Sequence, residues 1–172
     1  MGLVHVYTGN GKGKTCTALG LILRSLGWGR QVCLVSFVKG YSEIGEKFFA
    51  DNNPNFTFIQ PAENENRDID ENQVLSMKEQ AQKALEIALN EVLSDKYDLV
   101  VLDEINCAIH YDLIELEKVI ELIKNKPEKC ELVLTGRDAK EEIMDLADYV
   151  TEMLNTKHPF YKGIMAREGI DY

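Results

Sequence analysis

Residues 3–15 read LVHVYTGNGKGKT: an apolar run, a turn with glycine at alternate positions, and a Lys-Thr pair followed by helical periodicity. The run over 3–7 predicts a buried strand, and i, i+3, i+4 apolar spacing over 14–26 predicts a helix. A strand, a glycine-rich turn and a helix N-terminus in succession aim backbone N–H groups and the positive end of a dipole at one point, which suits phosphate. Gly9, Gly11 and Gly13 let the chain wrap an anion without Cβ collisions, Lys14 adds a mobile charge, and Thr15 offers a hydroxyl to a magnesium ion. Against G-x-x-x-x-G-K-[ST] the pattern departs once: Thr8 stands at the first position and Gly9 arrives one residue late, so the loop is one residue shorter. A merely tight strand-to-helix turn leaves Lys12 and Lys14 unexplained in so acidic a chain.

Outward from this turn, Val-, Ile- and Leu-rich runs recur at 32–37, 56–59, 99–102, 132–134 and 149–153, alternating with helical patterns at 74–93, 116–124 and 140–146. Continuous apolar strands between helices predict a mostly parallel sheet covered on both faces, an α/β fold; with the phosphate turn after its first strand, the pattern resembles the P-loop NTPase-like, RecA-type class. Gly27-Trp28-Gly29 stops the first helix, and Pro127 follows the end of the 116–124 helix. The stretch 61–72, PAENENRDIDEN, reads as a polar, acidic loop over one end of the sheet, or as a solvated connection without function.

Leu99-Val100-Val101-Leu102-Asp103-Glu104 supplies the second half of the candidate site. Ligands of open parallel sheets bind at the carboxyl ends of strands, so this edge is expected to meet the glycine turn. Adjacent acids there suit a hard cation, which takes few protein oxygens plus phosphate oxygens; Thr15 with Asp103 or Glu104 would supply them. A competing reading makes Asp103 a helix N-cap.

The 172 residues fit one domain spanning 1–172. Apolar residues at 45% and charged residues at 28% exclude collagen-like and wholly disordered classes. A net charge of −10 disfavours nucleic acid as a partner. No apolar stretch approaches the ~18 residues of a membrane span, and the first strand follows Met1 without a basic region, so no membrane association and a cytoplasmic location are expected. Cys16, Cys33, Cys107 and Cys130 form no C-x-x-C pair and are expected to be reduced.

These residues carry a wider resemblance. GNGKGKT at 9–15, Phe37-Val38-Lys39-Gly40 with Gly45-Glu46, Val101-Leu102-Asp103-Glu104, Thr135-Gly136-Arg137, Asp145-Leu146-Ala147-Asp148, Lys157-His158-Pro159-Phe160 and Gly169-Ile170-Asp171-Tyr172 occur in the order found in the P-loop ATP:corrinoid adenosyltransferases, which make adenosylcobalamin. The resemblance implies attack by a Co(I) corrinoid on the 5′-carbon of ATP, with inorganic triphosphate leaving and no protein nucleophile. It also implies a reversed lie of ATP in the loop compared with kinases. By resemblance Gly9, Asn10, Gly11, Lys12, Gly13, Lys14 and Thr15 bind the triphosphate, and Thr15 with Glu104 holds Mg²⁺. Lys14 and Glu104 support the chemistry, while Asp103 acts from behind them. Arg24, in the first helix, and Arg137 are further nucleotide candidates; each also reads as an ordinary surface residue. The implied partners are ATP, a reduced corrinoid and a flavoprotein electron donor, and the implied assembly is a homodimer.

His5 reads as a hydrogen-bonded sheet histidine, His110 has no evident partner, and His158 suits closing the tail over the site; the family works with the corrinoid's lower face unligated. The family's Phe/Trp segment after the third strand, credited with displacing the lower axial ligand, is missing from 61–72. Trp28 is a poor substitute. Tyr41, Phe48 or Phe49 could line the corrinoid, though Phe48 and Phe49 also read as core aromatics of an amphipathic helix. Two other functions fit the phosphate turn: a P-loop ATPase or phosphotransferase with Glu104 orienting water, and a module that binds ATP or corrinoid without turnover.

Overall fold

The computed structural model describes residues 1–37, 43–61 and 71–172. Val38, Lys39, Gly40 and Tyr41, and residues 62–70 of the acidic stretch, lie outside the described residues. In chain order the elements are β1 (Val4–Thr8), α1 (Lys14–Gly27), β2 (Val32–Ser36), α2 (Gly45–Asp51), β3 (Phe56–Ile59), α3 (Glu71–Leu93), β4 (Leu99–Asp103), α4 (Ile105–His110), α5 (Leu116–Asn125), β5 (Glu131–Thr135), α6 (Glu141–Asp145) and β6 (Tyr149–Glu152). A short 3-10 turn, Pro159–Lys162, follows.

The strands form one six-stranded sheet in the order β3-β2-β4-β5-β1-β6, and every pairing is parallel. This is the α/β architecture the sequence predicts. The apolar alternation along each strand divides the core in two. Leu99 and Val101 of β4, with Val133 and Tyr7, face Ala18 and Ile22 of α1. Val100 and Leu102, with Leu132 and Leu134, face Ala84, Leu85, Val119, Leu122 and Ile143 on the helices of the opposite face. Leu102, Leu132 and Leu134 are wholly buried, and each such side chain stabilises by roughly 1.5–3 kcal/mol.

The loop-bearing strand β1 and the acid-bearing strand β4 are not neighbours; β5 lies between them. The glycine turn therefore meets the acids across the end of β5, and whatever caps β5 becomes part of the site. Of the stretch 61–72, expected as a loop, Glu71 and Asn72 belong to α3. Phe48 and Phe49 also depart from the core reading. α2 buries no residue, and both rings are about half exposed, Phe49 resting on Phe56 at a ring-centroid separation of 6.2 Å. A seven-residue helix on the edge strand β3 has too little sheet beneath it to cover two aromatic rings.

Candidate functional site

The turn after β1 is shaped by what passes behind it. Gly11 N–H donates to the Met153 carbonyl at 2.6 Å, just past the end of β6. A Cβ on Gly9 would stand 2.5 Å from that carbonyl oxygen, and one on Gly11 2.7 Å from the Leu154 oxygen. Close approach of 153–154 thus demands glycine at 9 and 11, in addition to any demand from an anion. Gly13 precedes α1 with φ +119°, a conformation that L side chains rarely adopt.

Lys14 opens α1 and is buried. Its ammonium donates to the carbonyls of Gly9 and Gly11, both at 2.8 Å, so it braces its own loop from inside. Burial lowers its pKa, with Glu104 and Asp103 opposing that shift and Arg137 adding to it. These influences place Lys14, Asp103, Glu104 and Arg137 in one electrostatic neighbourhood.

Across the gap, Thr15 and Thr135 both donate to the same oxygen of Asp103, Oδ1, at 3.0 and 2.7 Å. Asp103 is nearly enclosed, and burial pushes its carboxyl up to about 6, the two hydroxyls and the neighbouring Glu104 exerting smaller effects. Glu46, in the first turn of α2, adds to the negative field there. Asp103 is not the N-cap of α4. Glu104 is, in the left-handed conformation at φ 61°, with no side-chain cap bond. Asp103 fails as a cap because its carboxylate is committed sideways to two threonines, while the Glu104 N–H is taken by Thr135 Oγ1 at 2.9 Å.

Glu104 Oε2 accepts from the Cys107 thiol at 2.7 Å, and Cys107 Sγ in turn accepts the Arg137 N–H at 3.2 Å. Gly136 makes this contact possible. A Cβ there would meet Asn106 Cβ and Cys107 N at 2.9 Å, and its φ of +131° also requires glycine. Thr135 and Cys107 were not among the expected site residues. The first enters through strand register, since Leu102 pairs with Leu134 and Asp103 follows Leu102; nothing in the sequence signals the second. Asn106 is wholly buried, and neither of its amide atoms has a hydrogen-bond partner among the described residues.

Lys12 points the other way. Its ammonium forms an ion pair with the Asp171 carboxylate and donates to the Ile170 carbonyl at 3.4 Å. Asn10 is exposed at the crest of the turn. Arg24 is not brought to the site: it is exposed in the last turn of α1, ten residues or about 15 Å along the helix from Lys14. His5 lies in β1, 2.5 Å from Glu131 Oε1 and stacked on Tyr149, as a sheet histidine should be. His110 does have a neighbour, Asp138 Oδ2 at 3.8 Å. His158 accepts from the Phe160 N–H at 3.2 Å and caps the tail turn. Trp28 is 83% exposed. A concavity of about 400 Å³ lies at the opposite edge of the sheet, between α2 and β3.

A parallel sheet that sets a glycine turn, a buried lysine and a threonine against two carboxylates defines a P-loop nucleotide-binding protein. The profile of the ATP:corrinoid adenosyltransferase BtuR/CobO/CobP family matches residues 1–172, and the chain belongs to that family. It is accordingly a transferase that acts on ATP and a corrinoid in cobalamin synthesis. The chain is 37% identical to a corrinoid adenosyltransferase of Sinorhizobium sp. over 181 residues, covering 99% of this chain and 80% of the relative. It is 35% identical to the corrinoid adenosyltransferase CobA of Salmonella typhimurium over 175 residues, covering 99% and 86%. Among solved structures, a DNA replication initiation factor has a TM-score of 0.42 and 12% identity, over 88% of this chain and 40% of that one. No helix among the described residues is long and apolar enough to cross a membrane.

Proposed function

We propose that residues 1–172 act as one domain that grips the triphosphate of ATP in the 9–15 turn and presents the 5′-carbon to a Co(I) corrinoid. The observation that carries this reading is Lys14, a buried ammonium held by its own loop carbonyls beside Glu104 and Asp103. Such a group gains most by exchanging carbonyl partners for phosphate oxygens. Cobalt supplies the electron pair, the carbon–oxygen bond at C5′ breaks, and triphosphate departs with that bond's electrons. No protein nucleophile is required. The protein holds C5′ in line with cobalt and neutralises the leaving group through Lys14, Lys12 and the backbone N–H groups of the turn.

The donor set fits a magnesium ion: a threonine hydroxyl within 3.0 Å of a buried carboxylate, with a second carboxylate adjacent. Thr15 with Glu104 or Asp103 would hold it, and when bound it would offset charge on the triphosphate. Thr135 and Cys107 orient the two acids. Arg137 lies near enough to Lys14 to share the anion; Arg24, at the far end of α1, would need another subunit or a nucleotide extending beyond the turn. The half-exposed rings of Phe48 and Phe49, on a helix whose first turn carries Glu46 towards Asp103, suit the apolar face of a corrinoid. A flavoprotein donor, a homodimer and a cytoplasmic location complete the proposal.

Pre-reduced corrinoid and a Co(II) corrinoid with a flavoprotein donor provide the discriminating pair of substrates. Turnover of the first with triphosphate release supports the reading. ADP and orthophosphate as the products would reject it in favour of a phosphotransferase or ATPase.

A further inference from the structure

The segment 167–172 closes on itself and then on the phosphate turn. Asp171 N–H donates to the Arg167 carbonyl at 2.8 Å, Asp171 Oδ2 accepts from the Arg167 backbone N–H at 3.0 Å and from its Nε at 3.1 Å, and Gly169 N–H donates to the Tyr172 carbonyl at 2.9 Å. The other carboxylate oxygen, Oδ1, sits on Lys12, and the Ile170 carbonyl lies on the same ammonium. Lys12 and Arg167 together hold the Asp171 carboxyl well down, to about 2, so it is an anion throughout the working pH range.

An anion on one of the two lysines of a phosphate turn occupies the place of a phosphate oxygen. From this contact we infer that Asp171 is an internal competitor for the triphosphate site: it takes Lys12 when the turn is empty, yields it to ATP, and reclaims it as triphosphate leaves. This rests on the reading of residues 9–15 as the triphosphate cradle. The chemistry gives the contact a purpose. Transfer at C5′ leaves behind a product with all three phosphoryl groups, which keeps every cradle contact that ATP made. A product so bound leaves slowly unless something inside the protein competes for its cations. Lys14 cannot be contested in this way, because it is buried and bridged to its own loop. Lys12 can, because it is exposed and Asp171 already rests on it. The pair is solvent-exposed, so the competition is mild and reversible.

Sodium tripolyphosphate is the probe, titrated into the full chain in magnesium buffer and followed by calorimetry. The variants are Asp171→Asn, Asp171→Glu and Asp171→Asn combined with Lys12→Ala. Asp171→Asn keeps an acceptor for Arg167 but removes the charge. It should bind tripolyphosphate roughly two- to five-fold more tightly than wild type, and the probe's inhibition constant should fall by a similar factor. Asp171→Glu should stay near wild type, and the gain should vanish in the Lys12→Ala background. A residue that merely shapes the turn would give the opposite sign, weaker binding on substitution. Unchanged or weaker binding by Asp171→Asn overturns the competitor role. If wild type itself takes up no tripolyphosphate, the cradle assignment fails instead.

Discussion

The hydroxyl of Thr15 donates to Asp103 Oδ1 at 3.0 Å, joining the first turn of α1 to the end of β4 although β1 and β4 are two strands apart. That bond fixes the distance between the phosphate turn and the acids, and a cation would have to fit within it. Thr15→Val removes the hydroxyl with little change of volume. Loss of a hydrogen bond to a charged group should lower kcat/KM for ATP about ten-fold or more, most strongly at limiting Mg²⁺, while Thr15→Ser retains most activity. Steady-state assays across a Mg²⁺ series check this.

Lys14→Ala should leave the fold intact and remove turnover. The ammonium is buried with a depressed pKa, so the cost of burying its charge offsets part of what its bonds to the Gly9 and Gly11 carbonyls contribute to folding, whereas on the proposed reading the departing triphosphate depends on it. A loss of about 100-fold or more in kcat/KM is expected, with an unchanged circular-dichroism spectrum. Near-normal activity would mean that the nucleotide lies elsewhere.

Asp103 makes stability depend on pH in a defined direction. Its carboxyl stands near 6 in the folded chain against 3.8 ordinarily, so the folded state holds the proton more tightly than the unfolded state. Its contribution is therefore most favourable below about pH 4 and is lost as pH rises through about 6, by roughly 2–3 kcal/mol. Asp103→Asn keeps an oxygen for Thr15 and Thr135 and removes the charge. Urea unfolding without magnesium should show the variant more stable than wild type at pH 8, with that difference shrinking towards pH 4.

Gly136→Ala should damage structure and activity together. The new methyl would press on Asn106 and Cys107, and the backbone would be strained by its φ of +131°. A destabilisation of about 1–3 kcal/mol is expected. Because Cys107 holds Glu104, kcat should fall more than in an equally destabilised variant remote from the site. Thermal melts and kinetics on the same preparations test both halves.

The strand runs and the G-N-G-K-G-K-T turn carry nearly the whole fold, because a doubly covered parallel sheet imposes continuous apolar strands and a phosphate turn imposes glycines at fixed offsets. What the sequence leaves hidden is set by register and cross-chain approach. Thr135 enters the site only because β5 is wedged between β1 and β4, and Cys107 only because α4 begins in a left-handed residue, Glu104. The glycines at 9 and 11 look like anion-wrapping residues alone until residues 153–154 are seen pressing on them. Phe48 and Phe49 follow a helical period, but period does not reveal that α2 lies over an edge strand with little to cover. Lys12 reads as one more phosphate cation, and nothing local tells that Asp171, 159 residues later, holds it.

Adenosyl transfer breaks the bond of ATP at the 5′-carbon, whereas phosphoryl transfer leaves that bond intact. Anaerobic incubation of the protein with ATP labelled with ¹⁸O at the 5′ bridging oxygen and a chemically reduced corrinoid distinguishes the two in one experiment. Adenosylated corrinoid and intact triphosphate carrying all of the label should appear in equal amounts. Label retained on ADP, with orthophosphate released and no cobalt–carbon product, would contradict adenosyl transfer.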